Sequence, residues 1–134
     1  MGMGFSNAGD FRRIIGWELD QITVDKYHIM FWFVYGQKRC LLNVADKITH
    51  KSCENNLLSE YEIYGDRKEF SFHRLLRCTI LDTSIIENDT MDIIFSNSDI
   101  LTIYDNPKFR SWWFIQYDSD GVTKEWSIED DDPA

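Results

Sequence analysis

The feature that most constrains this chain is the spacing and type of its apolar residues, which mostly fit β-strands rather than helices. Residues 27–34 read YHIMFWFV, rich in aromatic and β-branched types, and residues 39–44 read RCLLNV. The residues between them, 36–38, are Gly-Gln-Lys, a composition suited to a turn. The pattern predicts a β-hairpin over 27–44.

Similar segments continue toward the C-terminus, separated by turns rich in Asn, Asp, Ser and Gly. We expect strands at residues 79–86, 91–95, 100–104, 111–117 and 122–128. Residues 57–64 fit either a strand or the start of a helix, and residues 71–77 fit a short helix with Ser71 as its N-cap. The predicted fold is of the α+β class and mainly antiparallel β, with six to eight strands in meander or hairpin order and one or two short helices.

Five apolar positions recur at a nearly constant spacing, which suggests two pseudo-repeated halves. The offset is 61 residues for three pairs, 62 for the fourth and 59 for the fifth. A change of turn length between the halves would produce this drift, although chance similarity between β-rich segments is the alternative. The pairs are Ile15 with Leu76, Leu19 with Ile80, Val24 with Ile85, Phe33 with Phe95, and Val44 with Ile103.

Charge is the strongest compositional signal, because the net charge is −9 and the excess lies at the C-terminus. Residues 118–134 contain seven acidic residues and one basic residue, Lys124. Such a segment repels phosphate and anionic lipid, so we expect neither nucleic acid nor a membrane as a direct partner. It would attract a basic protein; the alternative is a solvated tail that only improves solubility.

Tryptophan supplies a candidate anchor for such a partner. Trp112 and Trp113 are adjacent on a predicted strand, so their side chains should point to opposite faces. One can fill the core, while the other is shielded or meets a partner. The predicted partner-binding residues are Trp113, Asp118, Asp120, Glu125, Glu129, Asp130, Asp131 and Asp132.

Known catalytic and cofactor motifs are missing from the sequence: it contains no G-x-S-x-G, H-E-x-x-H, P-loop or G-x-G-x-x-G pattern. The histidines His28, His50 and His73 are far apart in sequence and fit surface or satisfied half-buried positions. We therefore expect no enzymatic activity, no metal and no cofactor.

The cysteines also favour a non-catalytic domain. Cys40, Cys53 and Cys78 are odd in number, which argues against a disulfide framework and favours free thiols. His50 and Cys53 form one H-x-x-C pair, but a second pair at zinc spacing is missing.

The chain should form a single domain over residues 1–134, since no linker divides it. We expect residues 1–10 to be irregular and residues 129–134 to form an acidic tail. The N-terminus lacks the pattern of a signal peptide and no apolar run is long enough to span a membrane, so a cytoplasmic location is expected.

Three segments together resemble a protein family: residues 16–22 with a G-W-x-L-x-x-I pattern, residues 93–105 (IIFSNSDILTIYD) and residues 109–115 (FRSWWFI). The pattern resembles small bacterial immunity proteins of polymorphic-toxin systems, including those of contact-dependent growth inhibition (CDI). Members more often have an acidic residue where this chain has Arg110, so no role for a carboxylate carries over. The resemblance implies a cytoplasmic protein that binds and neutralises one cognate toxin C-terminal domain, often a basic nuclease, and it supplies no catalytic residues.

Two other functions stay open at this point. One is a β-rich module that binds a small ligand or forms an oligomer, which a pocket lined by Trp32, Phe33 or Tyr35 would favour. The other is an enzyme whose site is assembled in space around a cysteine and a histidine.

Overall fold

The computed structural model describes residues 11–86, 90–106, 112–118 and 121–127; the predicted irregular start and acidic tail lie outside these ranges. Within them the chain forms two short 3₁₀ turns, at Phe11–Ile14 and Phe72–Leu75, and eleven strands. The strands are β1 (Glu18–Val24), β2 (Ile29–Tyr35), β3 (Lys38–Val44), β4 (Lys47–Lys51), β5 (Leu57–Glu62), β6 (Arg67–Lys68), β7 (Ile80–Ile86), β8 (Thr90–Phe95), β9 (Ile100–Tyr104), β10 (Trp112–Asp118) and β11 (Gly121–Ser127).

The described strands form two antiparallel sheets. Sheet A has the order β1-β2-β3-β10-β11, and sheet B has the order β6-β5-β4-β9-β8-β7. Sheet A therefore joins the meander β1–β3 to the hairpin β10–β11, and sheet B joins the meander β7–β9 to the strands β4–β6. The prediction of a mainly antiparallel β fold with few short helices is confirmed.

The predicted internal repeat is confirmed by the way the two meanders begin. A 3₁₀ turn precedes β1 and another precedes β7, 61 residues later. Each of these strands then carries one bulge, between Leu19 and Gln21 in β1 and between Ile80 and Asp82 in β7. The two bulges are again 61 residues apart, so the correspondence extends to irregular features that a shared β period would not reproduce.

Hydrogen bonds between the two halves are reciprocal, as expected around a pseudo-twofold axis. The N–H of Gly16 donates to the carbonyl of Ile80 at 2.7 Å, and the N–H of Arg77 donates to the carbonyl of Leu19 at 2.7 Å. Gly16 and Arg77 are 61 residues apart, and both have positive φ angles, 93° and 71°. The axis therefore passes between the starts of β1 and β7.

A difference in hairpin length explains the drift in the repeat spacing. In the first half Phe33 is paired with Cys40, seven residues further on. In the second half the N–H of Phe95 donates to the carbonyl of Asp99, only four residues further on. The second hairpin is shorter by three residues, which changes the offset from 62 before the turn to 59 after it.

The inner faces of the sheets share one apolar core. Phe33 of sheet A and Phe95 of sheet B are both fully buried and stack with ring centroids 6.3 Å apart. Trp112 is also fully buried against Phe11, so one member of the tryptophan pair fills the core as expected. Burial of each such side chain contributes on the order of 2 kcal/mol.

Two details differ from the sequence prediction, and one open alternative is resolved. The strands outnumber the expected six to eight, since the middle of the chain adds β4, β5 and β6. Residues 57–62 take the strand form rather than the helical one, with Ser59 and Tyr61 facing inward. Ser71 makes no side-chain capping hydrogen bond to its 3₁₀ turn, because its hydroxyl is engaged in the core by His50 and Ser59.

Candidate functional site

The outer face of sheet A is unusually apolar. On β2 the residues Ile29, Phe31 and Phe33 are fully buried, so the alternating residues Met30, Trp32 and Val34 point outward, where they are half-buried. A solvated antiparallel sheet normally alternates apolar inside with polar outside. β2 is instead apolar on both faces.

Neighbouring strands extend this surface across the sheet. Leu41 of β3 is paired with Trp32 on one side and with Ile115 of β10 on the other. Tyr117 follows Ile115 on the same side of β10, and both side chains are half-buried. Leu41, at the centre of this surface, is itself buried, with 7% of its area exposed. We call this surface the apolar face of sheet A and define it by Met30, Trp32, Val34, Leu41, Ile115 and Tyr117.

Trp32 is held in place by two side chains of the same sheet. Its ring centroid lies 5.8 Å from that of Tyr117, and the guanidinium carbon of Arg39 lies 4.3 Å from the Trp32 ring centroid. A cation over an indole ring contributes about 0.5–1 kcal/mol at a partly exposed site. The apolar face therefore presents a pre-ordered aromatic group and one positive charge.

The internal repeat supplies a direct comparison, because sheet B has an equivalent outer face. Met30 corresponds to Asp92 and Ile115 to Lys51, whereas Trp32 and Leu41 correspond to the apolar residues Ile94 and Ile100. The polar members of the sheet B face satisfy one another: Thr102 Oγ1 donates to Asp92 Oδ1 at 2.6 Å.

A second pair on the sheet B face shows the same polar character. Lys47 Nζ lies 3.8 Å from Glu60 Oε2 and 4.6 Å from the ring centroid of Tyr104. The outer face of sheet B therefore combines charged and polar side chains with the apolar pair Ile94 and Ile100. A contiguous apolar surface at the equivalent place on sheet A marks a candidate interaction surface.

Three of the predicted partner-binding residues lie on β10 and β11. Trp113 and Asp118 lie on β10, the strand that also carries Ile115 and Tyr117, and Glu125 of β11 is paired with Ile115. At the opposite edge, Glu18 of β1 is paired with Val34. Carboxylate-bearing positions thus occur on both sides of the apolar face. The remaining predicted residues lie outside the described part of the chain: Asp120, Glu129, Asp130, Asp131 and Asp132.

The outer residues of β2 and β3 are not among the partner-binding residues predicted from the sequence. Their signal was present in the run IMFWFV at residues 29–34, which is continuously apolar rather than alternating. Such a run indicates a strand with two apolar faces. It could not show which face is internal, because that depends on the pairing with Phe95 across the core.

A second notable feature is a buried polar cluster inside sheet B. His50 Nδ1 lies 2.6 Å from Ser71 Oγ, and His50 Nε2 lies 2.8 Å from Asp99 Oδ2. Ser59 Oγ is hydrogen-bonded to Ser71 Oγ and accepts a bond from the Ser71 N–H at 2.7 Å. His50 is fully buried and the other three are nearly so. We call these four residues the His50 cluster.

Burial favours the neutral form of His50. Desolvation is the main cause that lowers the pKa of His50, although the hydrogen bond to Asp99 acts in the opposite direction. A lowered pKa favours the neutral imidazole, and in that form Nε2–H donates a hydrogen bond to Asp99. Both ring nitrogens are bonded, so the cluster has the composition of a serine–histidine–aspartate set while its imidazole is closed to solvent.

The thiols have contrasting environments. Burial raises the pKa of the Cys40 thiol to about 12, so that thiol stays protonated at neutral pH. Cys53 is exposed and Cys78 is half-buried, and all three are free. Among the described residues, no group of three His, Cys, Asp or Glu side chains is arranged to hold a metal ion.

A cavity of about 490 Å³ opens at the β5–β6 edge of sheet B. It differs from the pocket considered in the sequence analysis, because Trp32 and Phe33 point to opposite faces of β2 and Tyr35 stacks on Trp17 at 5.9 Å. The cavity is lined by Leu57, Leu58, Ser59, Glu60, Arg67, Lys68 and Glu69.

In the part of the chain that the structure describes, no helix has the length and apolar character needed to cross a membrane. Comparisons of the chain with protein-family models, with curated proteins and with solved structures find no match.

Proposed function

We propose that this protein is a cytoplasmic immunity protein that binds a basic toxin domain and neutralises it by direct contact. The observation that carries the proposal is the apolar face of sheet A. The equivalent face of sheet B has Asp92 and Lys51 where this face has Met30 and Ile115, so the fold itself does not require apolar residues at those two positions. Their presence is accounted for if a protein partner covers them.

The chemistry of the apolar face fits a protein interface. Trp32 lies among Leu41, Tyr117 and Arg39, and tryptophan, tyrosine and arginine dominate the binding energy of characterised interfaces. Contacts with Tyr117 and Arg39 restrict the indole before binding, which reduces the entropy lost when a partner docks. An interface of ordinary size buries about 800 Å² on each partner, enough to cover this surface and its rim.

Charge supports a basic partner. The net charge of −9 would accelerate the association of a positively charged domain and disfavour acidic competitors. The acidic positions on the strands that flank the apolar face would then meet basic residues around an apolar patch of the partner. The resemblance to immunity proteins of polymorphic-toxin systems supplies the neutralising role.

A ligand-binding module is the second candidate, and the cavity at the β5–β6 edge is the observation that favours it. Leu57 and Leu58 provide an apolar wall, while Arg67 and Lys68 provide positive charge. This combination suits a small amphipathic ligand.

The test is to mix the purified protein with the purified C-terminal domain of the toxin encoded beside it, and to measure complex formation and toxin activity together. The proposal predicts a stoichiometric complex that weakens as salt concentration rises and in which the toxin is inactive. A complex that leaves the toxin fully active would overturn the neutralising role, and the lack of any complex would overturn the proposal as a whole. In that second case, shifts in melting temperature with small amphipathic ligands would test the module.

A further inference from the structure

The His50 cluster joins four separate segments of sheet B. His50 lies on β4, Ser59 on β5, Ser71 immediately before the second 3₁₀ turn, and Asp99 at the end of the β8–β9 turn. Asp99 is itself held by Asn97, whose Nδ2 donates to Asp99 Oδ2 at 3.2 Å. The cluster therefore ties the chain that follows β6 to the centre of the sheet.

The internal repeat shows that the fold does not need this cluster. In the other half, the position that corresponds to Asp99 is Cys40, and the positions that correspond to His50 and Ser59 are Phe114 and Trp126. Buried ionisable groups are costly to keep in a core that tolerates apolar residues. Their retention in one half only points to a role beyond packing.

The hydrogen bonds of the cluster run in one direction when His50 is neutral. The Ser59 hydroxyl donates to Ser71 Oγ, the Ser71 hydroxyl donates to His50 Nδ1, and His50 Nε2–H donates to Asp99. Every donor has an acceptor in this arrangement.

A second proton on Nδ1 reverses this chain. His50 then donates to Ser71 and the Ser71 hydroxyl donates to Ser59, whose oxygen already accepts the Ser71 N–H. The Ser59 proton loses its acceptor at a site that is only 1% exposed. An unsatisfied buried donor favours opening of the structure around it.

We propose that the His50 cluster is a proton-sensitive latch: while His50 is neutral it holds β6 and the second 3₁₀ turn against sheet B, and protonation of His50 releases them. Release would uncover the edge of β5, where β6 covers only Glu60 and Tyr61. The region that opens includes the cavity lined by Ser59, Arg67 and Lys68.

The charged groups around His50 act in both directions. Asp99, from the β8–β9 turn, favours the protonated imidazole, whereas Arg74 and His73, from the 3₁₀ turn, disfavour it. Glu60 of β5 lies on the outer face of the sheet, beside Lys47 of β4. Protonation therefore adds positive charge next to the turn that carries Arg74 and His73, which reinforces its release.

Amide hydrogen exchange tests the latch, and the repeat provides an internal control. In the second 3₁₀ turn the N–H of Arg74 donates to Ser71 and that of Leu76 to His73; in the first turn the N–H of Ile15 donates to Arg12. After correction for intrinsic rates, we expect acidification from pH 7.5 to 5 to lower protection at Arg74 and Leu76 by about tenfold or more, with no change at Ile15. Equal changes in both turns would overturn the proposal.

Two variants make the test specific. His50→Phe places in β4 the residue type found at the equivalent position of β10, and it should remove the pH dependence of exchange at Leu76. Asp99→Asn keeps an acceptor for the Nε2–H of His50 but removes the negative charge that favours the protonated imidazole, so the loss of protection at Leu76 should move to lower pH than in the parent protein. Persistence of the pH dependence in His50→Phe would contradict the latch, as would an unchanged or higher transition pH in Asp99→Asn.

Discussion

Phe33 and Phe95 occupy equivalent positions in the two halves of the chain, and they stack on each other across the core with an interplanar angle of 20°. The contact joins sheet A to sheet B close to the pseudo-twofold axis. Truncation of a fully buried phenylalanine costs about 3–5 kcal/mol. We expect Phe33→Ala and Phe95→Ala each to lower the free energy of unfolding by this amount in urea denaturation.

The same pair should show energetic coupling. The double variant Phe33→Ala/Phe95→Ala should be destabilised by less than the sum of the single variants, because each first truncation already removes the stacking contact. Tyr35→Ala is a control on the same strand, since the Tyr35 side chain is 59% exposed. Additive losses would show that the stack contributes nothing beyond burial.

Stability should depend on pH through His50. Burial holds the pKa of His50 below the value of about 6.5 that it has in the unfolded chain. The unfolded state therefore binds the proton first, so this contribution to stability is complete above about pH 6.5 and decreases as the pH falls toward the folded pKa. The difference in unfolding free energy between the parent protein and His50→Phe should change over pH 7.5 to 5, with a slope of at most about 1.4 kcal/mol per pH unit. A constant difference would contradict this assignment.

The three thiols should react at very different rates. Cys53 is exposed, whereas Cys40 is fully buried and burial raises the pKa of its thiol to about 12. A thiol-specific reagent at pH 8 should modify Cys53 rapidly and Cys40 only after the addition of denaturant. Mass spectrometry of the labelled peptides identifies the sites, and Cys53→Ser should abolish the fast phase. Rapid modification of Cys40 in the folded protein would contradict its placement in the core.

The acidic residues near the C-terminus should control the rate of association rather than the fold. Replacing Glu129, Asp130, Asp131 and Asp132 by Gln or Asn removes four of the negative charges. Stopped-flow mixing with the toxin domain should show slower association with a weaker dependence on salt, at unchanged melting temperature. Unchanged association rates would mean that the segment only improves solubility.

Much of this architecture could be predicted from the sequence, because the alternation in residues 79–104 and the repeat spacing are local patterns. The match of Val44 with Ile103 even anticipated the shorter second hairpin. The way each half contributes strands to the other half's sheet could not be predicted, because it depends on β4 pairing with β9 and on β10 pairing with β3. That choice is a long-range pairing and leaves no periodic mark in the sequence.

The candidate sites, too, could be predicted only in part from the sequence. Asp118 and Glu125 were predicted as partner-binding residues from their charge. They lie on β10 and β11, but the apolar face that β10 helps to form could not be predicted from the charge pattern. The His50 cluster was missed because its members are separated by up to 49 residues and join only when β9 pairs with β4. Ser71 had a predicted structural role, but as the N-cap of a short helix and not as a member of this cluster.

The most direct test of the central claim compares two truncations at equivalent positions, Trp32→Ala on the apolar face of sheet A and Ile94→Ala on the outer face of sheet B. Both can be titrated against the toxin domain by calorimetry, with melting temperatures as the control for folding. If the apolar face is the interface, Trp32→Ala weakens binding by about thirtyfold or more, as expected for an interface hot spot, and Ile94→Ala leaves the affinity unchanged. Equal affinities of the two variants, or a loss confined to Ile94→Ala, would contradict the assignment of this surface.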